Sequence, residues 1–154
     1  MGKYFGTDGF RGKAGVDLTS EHAYKIGRYL GNYYSRNGRR GRIVIGKDTR
    51  LSSYMYESSL ISGIVASRAD DFDCGIMISA SHNPYYDNGI KLLNGEGEKM
   101  DDETIAGVEA YLDGAVPEVP FATEDAIGRA IDHAAGRNRY IGYLISLATH
   151  SYRD

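Results

Sequence analysis

Six consecutive residues, Ser79-Ala80-Ser81-His82-Asn83-Pro84, bring two hydroxyls, an imidazole and an amide close together. A serine hydroxyl beside a histidine is a candidate nucleophile with a candidate base. The acyl-transfer form of that chemistry uses a Gly-x-Ser-x-Gly elbow. Ser79 and Asn83 stand where those glycines would be, and no acid is placed to orient the histidine, so a serine hydrolase gains no support. In the plainer alternative, Ser79 and Ser81 brace a turn through side-chain to backbone hydrogen bonds. Two other segments carry charge. Gly6-Thr7-Asp8-Gly9-Phe10-Arg11-Gly12 has the pattern of a tight loop presenting Arg11. In Lys47-Asp48-Thr49-Arg50, the pair Asp48 and Arg50 suits an ion pair or turn brace better than catalysis. Lys91 lies between Ile90 and Leu92, so on a strand it faces the opposite way from both.

Elements must hold these loops in place. Thr19 or Ser20 can cap a helix whose apolar face is Ala23, Ile26, Gly27, Leu30 and Tyr34, ended by Asn37-Gly38. Arg42 to Gly46 is a β-branched run expected as a buried strand. Ser52 or Ser53 starts a second helix with Met55, Leu60, Ile64, Ser59 and Ser67 turned inward. Cys74 to Ile78 and Ile90 to Leu93 read as two more strands. Asp101 or Asp102 caps a helix carrying Ile105, Val108 and Leu112. Pro117 and Pro120 break the chain after that helix, and a last helix runs from about Asp132 to Leu147 with Tyr140, Tyr143, Leu144 and Leu147 on one face. Strands alternating with helices make an α/β class with a mostly parallel or mixed sheet. Ligand sites in such sheets form beyond the carboxyl ends of strands, which points to the loops after Gly46 and Ile78.

Composition narrows the function classes. The chain has 154 residues, one domain's worth, with 42% hydrophobic and 25% charged residues, as in ordinary globular proteins. A net charge of -3 removes the basic excess of a nucleic-acid binder. No apolar run is long enough to span a membrane, and the first residues fit neither a signal peptide nor the myristoylation pattern. Cys74 is the single cysteine, which excludes an intrachain disulfide and, with the absence of a signal peptide, gives a cytoplasmic expectation. Cys74 itself suits a small core position. His22, His133 and His150 have no partner at metal-ligand spacing and are expected at the surface. Twenty glycines, about twice the usual share, suggest loops that bring backbone close to a ligand.

The run from Ser79 through Tyr85-Tyr86-Asp87-Asn88-Gly89-Ile90-Lys91 resembles the phosphoserine loop of the α-D-phosphohexomutases. Tyr4 to Gly12 and Ile45-Gly46-Lys47-Asp48-Thr49-Arg50-Leu51-Ser52-Ser53 resemble two further segments of that family, in the same order. The resemblance covers nearly the whole chain but only the first of the family's four domains. It implies a three-layer α/β/α fold with a mixed, mostly parallel sheet over residues 1–131, and a connector helix over 132–154. It implies that Ser81 carries a phosphoryl group and donates it to a sugar phosphate. A bisphosphorylated sugar forms, turns over in the site and returns its other phosphate to the serine. The likeness is strongest to the branch that interconverts glucosamine 6-phosphate and glucosamine 1-phosphate. By resemblance, His82 sits beside the phosphoserine. Arg11 and Lys91 stabilise charge and are candidates for proton transfer, and Thr7, Ser79 and Asn83 bind phosphate. Mg2+ is implied as the family's cofactor, with the phosphate on Ser81 among its ligands. This agrees with elementary chemistry: a phosphoserine is nearly doubly negative, and phosphoryl transfer depends on positioning and charge stabilisation.

Two features depart from the family. The stretch Val65 to Cys74 is too short, because a strand, a threonine-proline loop and a helix are expected there. One strand-helix unit is therefore missing, which leaves a sheet edge or helix face uncovered and predicts a homo-oligomer or a partner supplying what is absent. The Asp-Gly-Asp-Gly-Asp metal pattern is also not found: Asp70-Asp71-Phe72-Asp73 and Asp101-Asp102-Glu103 lack its glycines. Mg2+ would thus be held through the phosphate on Ser81 alone, too few ligands for a stable site. The expectation is a phosphoserine-bearing domain without turnover by itself. The alternative is a non-catalytic module that binds sugar phosphates or self-associates.

Overall fold

The computed structural model describes residues 2–35, 41–65 and 72–147. Asn37, Gly38, Ser67, Asp70, Asp71 and His150 lie outside the described residues. The elements run β1 (Phe10–Lys13), α1 (Ser20–Tyr34), β2 (Arg42–Lys47), α2 (Leu51–Val65), β3 (Phe72–Ile78), β4 (Asp87–Asn94), α3 (Asp102–Leu112) and α4 (Ala134–Leu147). The strands form one sheet in the order β1-β4-β3-β2. It is mixed, as expected, but not mostly parallel: β2 and β3 are parallel, joined through α2, while β4 is antiparallel to both β3 and β1. Only eight residues join β3 to β4, too few for the crossover a parallel pair requires.

Strand β1 departs from the loop expected over Gly6 to Gly12: Phe10 pairs with Ile90 and Arg11 with Gly89 across an antiparallel ladder. Four residues rich in glycine and charge carry no hydrophobic period; tertiary pairing makes them a strand.

The two faces of the sheet differ sharply. One presents Ile43, Ile45, Cys74, Ile76, Ile78, Ile90, Leu92 and Phe10, all part of or packed against a single core. Helices α1, α2 and α3 enter that same core through Ala23, Ile26, Leu30, Tyr56, Leu60, Ile64, Val108 and Leu112. The other face carries Val44, Gly46, Gly75, Met77, Leu93, Lys91 and Arg11, and none of these belongs to the core. Val44 is 41% exposed, so β2 is half-open at the sheet edge rather than fully buried. Helices α1 to α3 build the helical layer on one side of the sheet.

Local sequence explains the helix ends. Thr19 caps α1: its hydroxyl accepts from the His22 amide at 3.2 Å, and His22 Nδ1 accepts from the Thr19 amide at 3.1 Å. His22, expected at the surface, is instead half-buried against Tyr4 and Phe10, and burial pulls its pKa below the usual value. Asp101 caps α3, accepting from the Thr104 amide at 2.8 Å. In α2 the inner side is Ser53, Tyr56, Leu60, Gly63 and Ile64. Met55 is 39% exposed, and Tyr56 takes the place expected for it, its hydroxyl donating to the Leu18 carbonyl at 2.6 Å. Helices α1 and α2 cross at Gly27 and Gly63, where an added Cβ would press on the Leu60 and Tyr24 carbonyls respectively. Cys74 is buried as expected, and burial pushes its thiol up to about 12.

Two clamps tie the chain's outer segments to this layer. The Glu109 carboxylate on α3 accepts from the amides of Lys3, Tyr4 and Phe5 at 3.1, 2.7 and 2.8 Å. Burial alone would raise its pKa, but these three donors outweigh burial and hold it below the ordinary value. Arg28, buried on α1, donates to the Val119 carbonyl and lies 3.9 Å from the Phe121 ring centre. Beyond it, α4 exposes Ile141, Tyr143, Leu144 and Ile145.

Candidate functional site

The carboxyl ends of β2 and β3 lie side by side: the Asp48 amide donates to the Ile78 carbonyl at 3.1 Å. The polar loop after β2 and the serine loop after β3 therefore leave the sheet together, as expected for an α/β site. Ser81 is exposed and has φ +55, one of two non-glycine residues with positive φ among those described. That conformation costs roughly 1–2 kcal/mol for a residue with a Cβ, so the surrounding bonds must hold it. Ser79 supplies one of them: its hydroxyl accepts from the Ser81 amide at 3.0 Å. Asn83 supplies another, with its amide donating to the Ala80 carbonyl at 3.0 Å and its side-chain nitrogen to Asp87 at 2.9 Å.

Arg11 reaches this loop from β1. One terminal nitrogen donates to Asn83 Oδ1 at 3.1 Å, and the other pairs with Asp8 at 3.3 Å. Its Nε is buried without a partner. Lys91 approaches the same Asp8 at 4.0 Å, and its side chain lies on the open sheet face, opposite Ile90 and Leu92 as the alternation predicts. Asp8 thus joins the two cations, a role that nothing in its loop sequence signals. Thr7 is exposed beside Asp8 in the wall of a cleft of about 630 Å³ that Lys91 and Lys99 also line. His82 is exposed on the loop next to Ser81. Of the expected site residues, the structure bonds Ser81 to Ser79, and it joins Arg11 directly to Asn83 and, through Asp8, to Lys91. Thr7 and His82 lie on the same loops.

Two glycines permit this convergence. Gly9, at φ +87, lies where a Cβ would collide with the Ile90 carbonyl, so the amino-terminal loop can sit against β4 next to Lys91. At Gly89 a Cβ would stand 2.7 Å from the Ser79 carbonyl and 2.9 Å from Arg11 Cγ, which would push the serine loop and Arg11 apart.

Asp48 and Arg50 form the expected brace, with Nε to Oδ2 at 3.1 Å. Burial raises the Asp48 pKa, but the Arg50 amide, the Ser79 and Ser53 hydroxyls and the Arg50 side chain outweigh it, and the carboxyl stays ionised below its ordinary value.

The acids near Ser81 are Asp8, paired with Arg11 and Lys91, Asp48, paired with Arg50, and Asp87, bonded to Asn83. Among the described residues no group of three acid, histidine or cysteine side chains could hold a metal. The described residues around Ser81 do not by themselves make a magnesium site. No described helix is long and apolar enough to cross a membrane.

Comparison with known proteins agrees with this geometry. The family model for phosphoglucomutase/phosphomannomutase, alpha/beta/alpha domain I, matches residues 2–74 and 65–117. Its two pieces overlap at the stretch that is too short. The phosphoglucosamine mutase of Lachnospira eligens is 57% identical over 99% of this chain and 39% of its own length. That match runs over 174 aligned positions, 20 more than the 154 residues of the chain. The phosphoglucosamine mutase of Bacillus cereus strain AH187 is 40% identical over 94% of this chain and 36% of its own length. The chain thus spans about two fifths of the curated relatives it matches. Among solved structures, a phosphoglucomutase/phosphomannomutase family protein from Burkholderia thailandensis superposes with a TM-score of 0.68 at 20% identity, over 94% of this chain and 35% of that one. A protein described as a putative phosphomannomutase, from Thermus thermophilus, gives 0.67 at 24% identity, over 92% and 35%. These two carry the fold alone. The match of the domain model across most of the chain, on a mixed α/β sheet, establishes that the chain belongs to the phosphoglucomutase/phosphomannomutase family, through its alpha/beta/alpha domain I.

Proposed function

We propose that this chain is the phosphoserine-bearing domain of a hexosamine-phosphate mutase, with Ser81 as the residue that carries the phosphoryl group between glucosamine 6-phosphate and glucosamine 1-phosphate. The observation that carries the reading is the exposed Ser81 at φ +55, with Arg11 and Lys91 gathered around Asp8 next to its loop. In the transfer, the bond from Ser81 Oγ to phosphorus breaks and a bond from a sugar hydroxyl oxygen to phosphorus forms. The hydroxyl's proton leaves to a base, and Ser81 Oγ regains a proton. Arg11 and Lys91 supply the positive charge such a transition state needs. Arg11 has an unpartnered Nε, and Lys91 keeps about a third of its side chain exposed. The identities with phosphoglucosamine mutases support the choice of sugar. Thr7, Ser79, His82 and Asn83 bind and shape the phosphate's surroundings, and Mg2+ requires ligands from beyond these residues. Residues 132–154 serve as a connector from a domain spanning 1–131. Isomerisation by this chain alone is not expected.

Incubation with glucose 1,6-bisphosphate, followed by intact mass spectrometry, tests the central point. One added phosphate, lost in Ser81→Ala, supports it. No added phosphate leaves a sugar-phosphate-binding module as the better reading. A coupled assay showing enzyme-like isomerisation by the chain alone would refute the expected lack of turnover. Self-association, the partner expectation from the shortened core, is checked by light scattering, and a strictly monomeric mass removes it.

A further inference from the structure

Arg50 reaches well beyond Asp48. Its side chain is only 12% exposed. One terminal nitrogen donates to the carbonyls of Pro84 at 2.6 Å and Asp87 at 3.0 Å. The other donates to the carbonyls of Ser81 at 2.9 Å and Asn83 at 2.8 Å. With Nε on Asp48, all five N–H donors of the guanidinium are used. The four carbonyls all belong to the turn that carries Ser81. The seat beneath is rigid as well: Ser53 donates to Asp48 at 2.9 Å, and Asn88, fully buried in β4, donates to Ser53 at 3.0 Å.

This arrangement has a chemical consequence. A planar fork with five directed donors can hold four divergent carbonyls, whereas an ammonium offers three donors from one point. The Arg50 charge is matched by Asp48, whereas Arg11 and Lys91 share the single carboxylate of Asp8 and so keep one positive charge between them for a phosphate. Ser81 keeps a left-handed backbone only while its neighbours enforce it, and its own carbonyl is one of the four held. We infer that Arg50 is a positioning residue: it holds the turn 81–87 so that Ser81 is presented in the conformation that accepts and donates a phosphoryl group. This inference rests on the reading of Ser81 as the phosphate carrier.

The test compares the wild-type chain with Arg50→Lys and Asp48→Asn, well below each melting midpoint, with far-UV circular dichroism confirming the fold. Two readouts are taken: the rate of Ser81 phosphorylation from glucose 1,6-bisphosphate, and hydrogen exchange of amides 81–87 against those of β3. In Arg50→Lys, phosphorylation slows at least about tenfold, as misplacement of a reacting group requires. Exchange quickens in 81–87 and stays unchanged in β3. Asp48→Asn, which keeps the guanidinium and loosens its seat, shifts both readouts the same way by less. A wild-type rate together with wild-type exchange in Arg50→Lys overturns the inference, as does slowing accompanied by faster exchange throughout the sheet. Should Arg50→Lys fail to fold, Asp48→Asn decides, and no change in it overturns the inference. Should the wild type take no phosphate, the phosphate-carrier reading fails on its own account. The positioning role then stands or falls on whether exchange at 81–87 quickens.

Discussion

The same four strands present two unlike surfaces. On the covered face, Cys74, Ile76, Ile78, Ile90 and Leu92 are each at most 3% exposed beneath α1, α2 and α3. On the open face, Val44 is 41% exposed, and Met77 and Leu93 are only partly buried. Neighbouring residues of one strand therefore have different energetic weight. The open face also carries Arg11 and Lys91, so the face opposite α1, α2 and α3 is the one that bears the charges of the site. Stability is concentrated on one side of the sheet and candidate chemistry on the other.

Substitutions across that divide sharpen it. Ile78→Ala on the covered face is expected to cost about 3–4 kcal/mol, the loss of a fully buried side chain plus the cavity it leaves, read by urea denaturation. Glu109→Ala is expected to cost about 2–3 kcal/mol, because three amides lose a charged acceptor. Its pH dependence has a definite sign. The Glu109 carboxyl ionises below its ordinary value of 4.5 in the folded chain, so the unfolded chain binds more protons near that pH. The clamp's contribution is full above 4.5 and fades as pH falls through the lower folded value. Thermal melts of Glu109→Gln should show a shallower acid loss than wild type. Gly63→Ala is expected to cost about 1–2 kcal/mol, since overpacking against the Tyr24 carbonyl exceeds the roughly 1 kcal/mol gain in helix propensity. Val44→Ala on the open face should cost less than about 1 kcal/mol. If it costs as much as Ile78→Ala, something covers that face in solution, and the contrast between the two faces fails.

Much of this was legible in the sequence because the signals were local. The spacing of Ala23, Ile26 and Leu30 marked α1, Thr19 and Asp101 marked helix starts, and the alternation around Lys91 set its face. The serine loop was legible as a run of residue types. The signal failed where contacts are long-range. Strand β1 exists because β4 pairs with it, Tyr56 rather than Met55 faces inward because Leu18 offers it a carbonyl, and His22 is half-buried because Tyr4 and Phe10 fold onto it.

By itself the sequence determined the α/β class, the order of most elements, the identity of the candidate phosphate-bearing loop and the shortened stretch before Cys74. Only the tertiary structure decided that Asp8 lies between Arg11 and Lys91, that Arg50 spans four carbonyls of the Ser81 turn, and that α1, α2 and α3 all pack on one face of the sheet. The physical reason is range. Capping, periodicity and loop chemistry act within a few residues, whereas the guanidinium of Arg50 and the carbonyl of Ser81 are thirty-one positions apart in the chain and meet only after β2 and β3 have paired.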